Sequence, residues 1–210
     1  MNKGLNMNRV ESYFDKKAGG YETGRKKGLL GRMVSGEVRA AMEMLDVKKG
    51  DRILDCGCGT GTYGKLIKGK GGRYLGIDIS ENMVREARRN GLKAKRCAME
   101  KFHPGDSEKK FDKILVSGSL EFCQNPGHAI RRCTKNLKRG GLLVIIAPRR
   151  NIPGLMYFAY HIFHGIHIKL FSKKNLRRSM KEAGFLEDGL AWSKPNHLVF
   201  VLSGRKDFSS

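Results

Sequence analysis

Three glycines at alternate positions, Gly57, Gly59 and Gly61, follow without a break on the apolar run Ile53–Cys56. Glycine is placed where a backbone must turn sharply or let a ligand come close. The run before the loop reads as a buried strand, and Tyr63–Lys68 after it reads as a helix. A strand that passes through such a loop into a helix opens an α/β sheet, and these sheets bind ligands beyond the carboxyl ends of their strands. The rest of the chain repeats the alternation. Strands are predicted at Tyr74–Ile77, Lys113–Val116 and Leu142–Ala147, with a weaker one at Leu92–Lys95. Helices are predicted at Glu81–Asn90, Ala129–Leu137 and Lys173–Ala183. Short apolar runs parted by helices imply a parallel sheet covered on both faces. Two last strands, Phe185–Trp192 and His197–Leu202, flank Lys194-Pro195-Asn196, which reads as a tight turn. The expected fold class is α/β: a doubly wound, mostly parallel, seven-stranded sheet ending in an antiparallel β-hairpin.

At 210 residues, 40% of them hydrophobic, the chain suits one domain with a terminal extension. The extension is expected over residues 1–45, as a short helix, a mobile stretch and an apolar-periodic run at 34–45, closing over the ligand. The main domain is expected over 46–210, with an inserted apolar segment at 152–171. No apolar run is long and uncharged enough to span a bilayer. Residues 1–20 lack the apolar middle of a signal peptide, so a cytoplasmic location is expected. The five cysteines are odd in number and form no C-x-x-C, which favours free buried thiols over disulfides or zinc. The formal net charge is +22, spread over clusters such as Arg25-Lys26-Lys27, Lys48-Lys49, Arg88-Arg89, Lys109-Lys110, Arg149-Arg150 and Arg177-Arg178. Such a surface attracts RNA, DNA or an anionic lipid surface, or is simply solvated.

Two acids bracket the loop chemistry. Asp55 stands at the strand end before the first glycine, and Asp78 closes the second strand. An acid in the latter place can accept both hydrogen bonds of a ribose diol. Gly59-Thr60-Gly61-Thr62-Tyr63-Gly64 also satisfies the dinucleotide pattern G-x-G-x-x-G, with Asp78 downstream. On this motif alone a dinucleotide competes with a sulfonium methyl donor. Two features favour the methyl donor. Asp55 is placed to help bind a cationic amino-acid end, and the terminal hairpin is not required by a dinucleotide half-domain.

Residues 51–148 resemble the class I S-adenosylmethionine (SAM)-dependent methyltransferases, in particular the methyltransferase type 11 group that includes the ubiquinone/menaquinone C-methyltransferases. The segments that carry the resemblance are DRILDCGCGTGTYG, YLGIDISENMVREAR, FDKILVSGSLEFCQNP and LKRGGLLVIIAPRR, in the family's order. The tail KNLRRSMKEAGF and the strands after it resemble the family's last helix and hairpin. The resemblance implies SAM as cofactor, with Asp55, Gly57, Gly59, Thr60 and Gly61 around its methionine part. It implies Asp78 on the ribose, Ile79 packed on the adenine, Ala98 and Met99 at the adenine edge, and Ser117 near the transferring methyl. Family members often carry an acid where Ala98 stands. Alanine cannot hold the adenine amino group, which leaves that bond to the Met99 backbone or Glu100.

Methyl transfer from a sulfonium is an in-line displacement that asks chiefly for alignment, with a general base where the nucleophile is a carbon or hydroxyl. No metal is expected. The candidates on the acceptor side are His128, which otherwise reads as a solvated histidine at a helix start, and Glu121, which either shapes the pocket or is a surface acid. Tyr13 and Tyr21 either close over the donor or pack in the core. Residues 152–171, IPGLMYFAYHIFHGIHIKLF, insert above the carboxyl edge of the sheet. They suit an apolar or amphipathic acceptor, a contact with an anionic membrane through the basic flanks, or an ordinary buried helix. His161, His164 and His167 have no carboxylate or thiolate beside them and read as packed or substrate-lining. The expected function is SAM-dependent methyl transfer to a small, apolar or amphipathic molecule. The alternatives are an RNA or protein methyltransferase that uses the basic surface, or a SAM-binding protein without catalysis. The N/D-P-P-Y/F signature of base N-methyltransferases is replaced here by Ser117-Gly118-Ser119-Leu120.

Overall fold

The structure, a computed structural model, describes residues 3–21, 28–103 and 110–207. The expected mobile stretch, the cluster Arg25-Lys26-Lys27 and Lys109 lie outside the described residues. The strands are β1 (Arg52–Cys56), β2 (Arg73–Asp78), β3 (Ala94–Arg96), β4 (Phe111–Ser117), β5 (Leu137–Pro148), β6 (Ala191–Ser193) and β7 (Val199–Arg205). They form one sheet in the order β3-β2-β1-β4-β5-β7-β6. The first five run parallel; β7 is antiparallel to both β5 and β6. The order reverses between β1 and β4, and the glycine loop leaves β1 at that switch point.

The helices are α1 (Lys3–Lys17), α2 (Gly28–Leu45), α3 (Thr62–Gly69), α4 (Glu81–Arg89), α5 (Pro126–Asn136), α6 (Ile152–Phe163) and α7 (Lys173–Glu182). Local chemistry starts four of them. Ser80, Asn125, Asn151 and Ser172 each accept a hydrogen bond from a backbone N–H in the first turn of α4, α5, α6 and α7. Successive residues of the central strands point to opposite faces, so each face has its own core. Leu54, Ile114, Val116 and Leu143 meet Ile130 of α5 and Met180 of α7 on one side. Ile53, Leu115 and Val144 meet Leu45 of α2, Ile67 of α3 and Val84 of α4 on the other.

The sequence expectation needs three changes. The apolar-periodic run expected at 34–45 is the second part of a longer helix, Gly28–Leu45, which packs on β5 and β7. The strand expected over Phe185–Trp192 shrinks to Ala191–Ser193. Phe185 makes an isolated bridge to Lys206, and the chain then turns through residues 186–190 around Gly189. β5 is longer than expected, because α5 runs straight into Leu137, which pairs with Phe111 before the register shifts. All five cysteines are thiols; four are buried and Cys97 is half-buried. No helix among the described residues is long and apolar enough to cross a membrane.

α1 and α6 build a third, smaller cluster above the carboxyl edge. Val10 packs there with Ile166 and Ile168, joined by Tyr13, Phe14, Phe122 and Tyr157. Polar ties hold α1 at both ends. Asp15 accepts from Ser80 Oγ (2.5 Å) and from the Asn82 backbone N–H (3.1 Å). Asn6 exchanges two hydrogen bonds with the His167 backbone, at 3.2 and 3.1 Å.

Gly61, the first residue before α3, has φ +94°, and a Cβ there would fall 2.1 Å from Cδ1 of the buried Leu92. Gly61→Ala is therefore expected to lower stability by about 1–3 kcal/mol, through the left-handed backbone and the overpacking together. Urea unfolding checks it: an unchanged midpoint would mean that the loop is looser than described.

Candidate active site

The loop after β1 is held from three sides. The Gly57 and Cys58 backbone N–H groups donate to Ile77 O of β2 at 2.8 and 3.0 Å. Ser119 Oγ donates to Cys56 O at 2.8 Å from the loop after β4. The Gly59 N–H donates to Asp78 Oδ2 at 2.9 Å, while Asp78 Oδ1 accepts from the Ser80 N–H at 3.0 Å. Burial raises the Asp78 carboxyl above its ordinary pKa, against the backbone N–H groups that favour its charged form.

Asp55 lies underneath this loop. Its side chain is fully buried, and Tyr74 donates its hydroxyl to Oδ2 at 2.9 Å. Oδ1 has no hydrogen-bond partner among the described residues. Burial pushes the carboxyl up to about 7, opposed by the Tyr74 hydrogen bond and reinforced by the charge of Asp78. Asp55 is absent from the cavity wall. Direct contact with an amino-acid end, expected from its place in the sequence, is replaced by a position behind the loop.

Above the loop is a cavity of about 440 Å³, within the range of small-molecule sites, about 300–1,000 Å³. Of the residues expected to hold the donor, Gly57, Gly59, Thr60, Asp78, Ile79, Met99 and Ser117 line it. Gly61 is turned into the α3–Leu92 packing, and Ala98 stands back from the wall at the start of the turn Met99–Lys101. Glu100 does reach the wall. On the acceptor side, Glu121 lines the cavity and is buried, whereas His128 is exposed at the start of α5, outside the wall. A base at His128 thus finds no support, and the solvated alternative describes its position. Tyr13 and Tyr21 both line the cavity, and Tyr21 reaches over Gly59.

The far half of the cavity is an aromatic box around His161. Tyr157, Phe122, Tyr160 and Tyr13 place their rings 4.6, 5.4, 5.4 and 5.7 Å from the imidazole. His161 is 3% exposed, and its Nδ1 has no hydrogen-bond partner among the described residues. Burial pushes its pKa down to about 4, with Lys17 and His164 adding to the effect, so the ring is neutral near pH 7. Lys17 of α1 donates to the Tyr160 hydroxyl at 3.0 Å and ties the two roofing helices together. The other two histidines go elsewhere. His164 caps the end of α6 through its ring Nδ1 and Tyr160 O (2.8 Å), and His167 lies beyond the helix. No group of three or more His, Cys, Asp or Glu suited to a metal ion occurs among the described residues. His161 was legible only as one of three histidines; its burial depends on which face of α6 meets α1.

SAM fits these residues. The Cα of Gly59 (φ +52°) faces the cavity, and the nearest atom to a Cβ built there is Tyr21 Cε1 at 3.7 Å. Asp78 is placed for a diol, and Ile79 and Met99 offer apolar walls for a base. A sheet of this order, with such a loop at its switch point and an acid ending β2, defines a class I SAM-dependent methyltransferase domain. The chain belongs to the methyltransferase-domain family, whose model it matches over residues 34–186. It is 33% identical over 126 residues to a probable cobalt-precorrin-6B C(15)-methyltransferase (decarboxylating) of Saccharolobus solfataricus, a match covering 55% of this chain and 62% of that protein. It thus spans less than two thirds of that relative. It is 26% identical over 170 residues to a ubiquinone biosynthesis O-methyltransferase of Thiobacillus denitrificans, with 72% of each chain covered. The same fold occurs in the magnesium protoporphyrin IX methyltransferase of Synechocystis PCC 6803 with bound SAH. There the TM-score is 0.74 at 14% identity, covering 96% of this chain and 100% of that one.

Asp78→Ala is expected to weaken SAM binding by about tenfold to a hundredfold, the worth of hydrogen bonds to a charged group. Gly59→Ala is expected to do so as well, while costing the unliganded fold only about 1–2 kcal/mol for the left-handed backbone. Titration calorimetry reads both, and NADH serves as the ligand that should show no heat. Asp55 makes a prediction about pH. Its folded pKa of about 7 lies above the ordinary 3.8, so the unliganded fold is favoured while the group is protonated. Its contribution is lost as pH rises from about 4 through about 7, and is level above that. Asp55→Asn should flatten the stability profile in that window, and urea midpoints at a series of pH values would show it.

Proposed function

We propose that this domain transfers the methyl group of SAM to a small amphipathic molecule bound in the aromatic half of the cavity. The observation that carries the reading is the division of one roofed cavity. One end is glycine backbone and Asp78; the other is a box of Tyr13, Phe122, Tyr157 and Tyr160 rings around the neutral His161. Bound at the first end, SAM supplies a methyl group already activated by its sulfonium charge. What remains for the protein is alignment and control of one proton.

Residues of this chain divide that work. Asp78 and the Gly59 backbone orient the donor. Ser117, at the end of β4, lines the cavity, with its hydroxyl 3.3 Å from that of Tyr63. α1 and α6 exclude water from above. The imidazole of His161, neutral near pH 7, accepts a hydrogen bond from a hydroxyl of the acceptor and takes its proton as the methyl arrives. Glu121, buried in the same wall, adds a carboxyl group to it. The names of the relatives point the same way. They act, by name, on a cobalt-precorrin and in ubiquinone biosynthesis, and small-molecule acceptors of that kind suit an enclosed apolar box. The +22 charge supports the reading in which RNA is the acceptor. A polymer would have to enter beneath α1, which is tied down at both ends.

The test is the fate of label. With methyl-labelled SAM and a cell extract freed of its own transferases, label is expected in the organic phase. Label in RNA that nuclease removes, or in protein, would overturn the small-molecule reading. His161→Phe keeps the ring packing and removes the nitrogen. It is expected to lower turnover by about a hundredfold while SAM affinity is unchanged. Equal turnover would remove His161 from the chemistry.

A further inference from the structure

α6 is apolar on two faces. One carries Tyr157 and His161 into the cavity. The other leaves Ile152 76%, Leu155 55%, Met156 70% and Phe163 88% exposed. Steps of three, four and seven residues place these four side chains on one stripe of the helix. Single exposed apolar residues need no explanation, but a continuous stripe of large ones marks a contact surface.

The chain on either side of α6 carries charge of one sign. Between Glu121 and Glu182 the sequence holds thirteen lysines and arginines and no acid. Arg150, just before α6, and Lys173 and Lys174, at the start of α7, are exposed. A nucleic acid would meet these cations and leave the aliphatic stripe in water. A second copy would cover the stripe but bring two positive fields together. An anionic bilayer satisfies both, because apolar side chains enter the acyl boundary while cations meet the headgroups.

We propose that this protein docks through the outer face of α6 on an anionic lipid surface, and that its acceptor enters the cavity from the bilayer past Tyr157 and Tyr160. The docking is independent of methyl transfer; only the delivery of the acceptor rests on the function proposed above.

Co-sedimentation of the full chain with vesicles tests it. Equimolar phosphatidylglycerol and phosphatidylcholine is compared with phosphatidylcholine alone. The wild type is expected to bind the mixed vesicles, less so as salt is raised, and to leave the neutral ones unbound. The triple variant Leu155→Ser, Met156→Ser, Phe163→Ser should bind about a hundredfold more weakly with its SAM affinity kept. If the triple variant does not fold, Phe163→Ser alone should lose about tenfold, and Lys173→Glu with Lys174→Glu should weaken binding without touching the stripe. Failure of the wild type to bind mixed vesicles, or equal binding by the variants, overturns the proposal. So does a wild-type dimer in sedimentation velocity that the triple variant dissolves, since the stripe then belongs to a second copy. SAM binding measured on the same samples stands apart. Its absence would overturn the function and leave the docking result intact.

Discussion

The carboxylate of Asp78 accepts from the backbone N–H groups of Gly59 and Ser80, and so joins the loop after β1 to the end of β2. This one tether sits where the strand order reverses, the point at which an open α/β sheet leaves a crevice. Everything on the donor side depends on it. The loop presents the bare Cα of Gly59 to the cavity, and α4 starts three residues beyond the acid, capped by Ser80, whose Oγ accepts from the Met83 N–H.

The acceptor side is built differently. It has no backbone motif of its own and arises where α1, α6 and the segment 164–171 fold back over the sheet edge. Its rings come from four places in the chain, Tyr13, Phe122, Tyr157 and Tyr160, and converge on His161. A loop held rigidly by the sheet and a roof assembled from an extension and an insertion explain how a family keeps one donor while its members bear the names of such different acceptors. The roof also carries the stripe that faces outward, so the same helix has one face on the pocket and one exposed.

The positive charge gains a direction from the fold. Read along the chain, the lysines and arginines look evenly spread. The long acid-free stretch runs from the end of the turn Leu120–Phe122 through α5, β5 and α6 to the last residues of α7. Of its cations, Arg150 just before α6 and Lys173 and Lys174 at the start of α7 are exposed, whereas on α1 the acids Asp15 and Glu11 are engaged by Ser80 and Arg96.

By itself the sequence determined the sheet, the switch-point loop and the acid at the end of β2. Those features follow from short apolar runs parted by helices and from glycine spacing, all of which are local. It misplaced what depends on distant partners. The strand near Phe185 is cut short because Asp188-Gly189 turns the chain before Ala191 can pair with Ser203. α2 joins the core because Ala40, Ala41 and Leu45 meet β5 and β7. Asp55 withdraws behind the loop because Tyr74, a neighbour only across the sheet, takes its hydrogen bond. Only the tertiary structure could separate the exposed His128 from the buried His161. A histidine's role is set by what desolvates it, and the rings that bury His161 lie on segments up to about 150 residues apart, brought together by packing over the sheet edge rather than by any spacing in the chain.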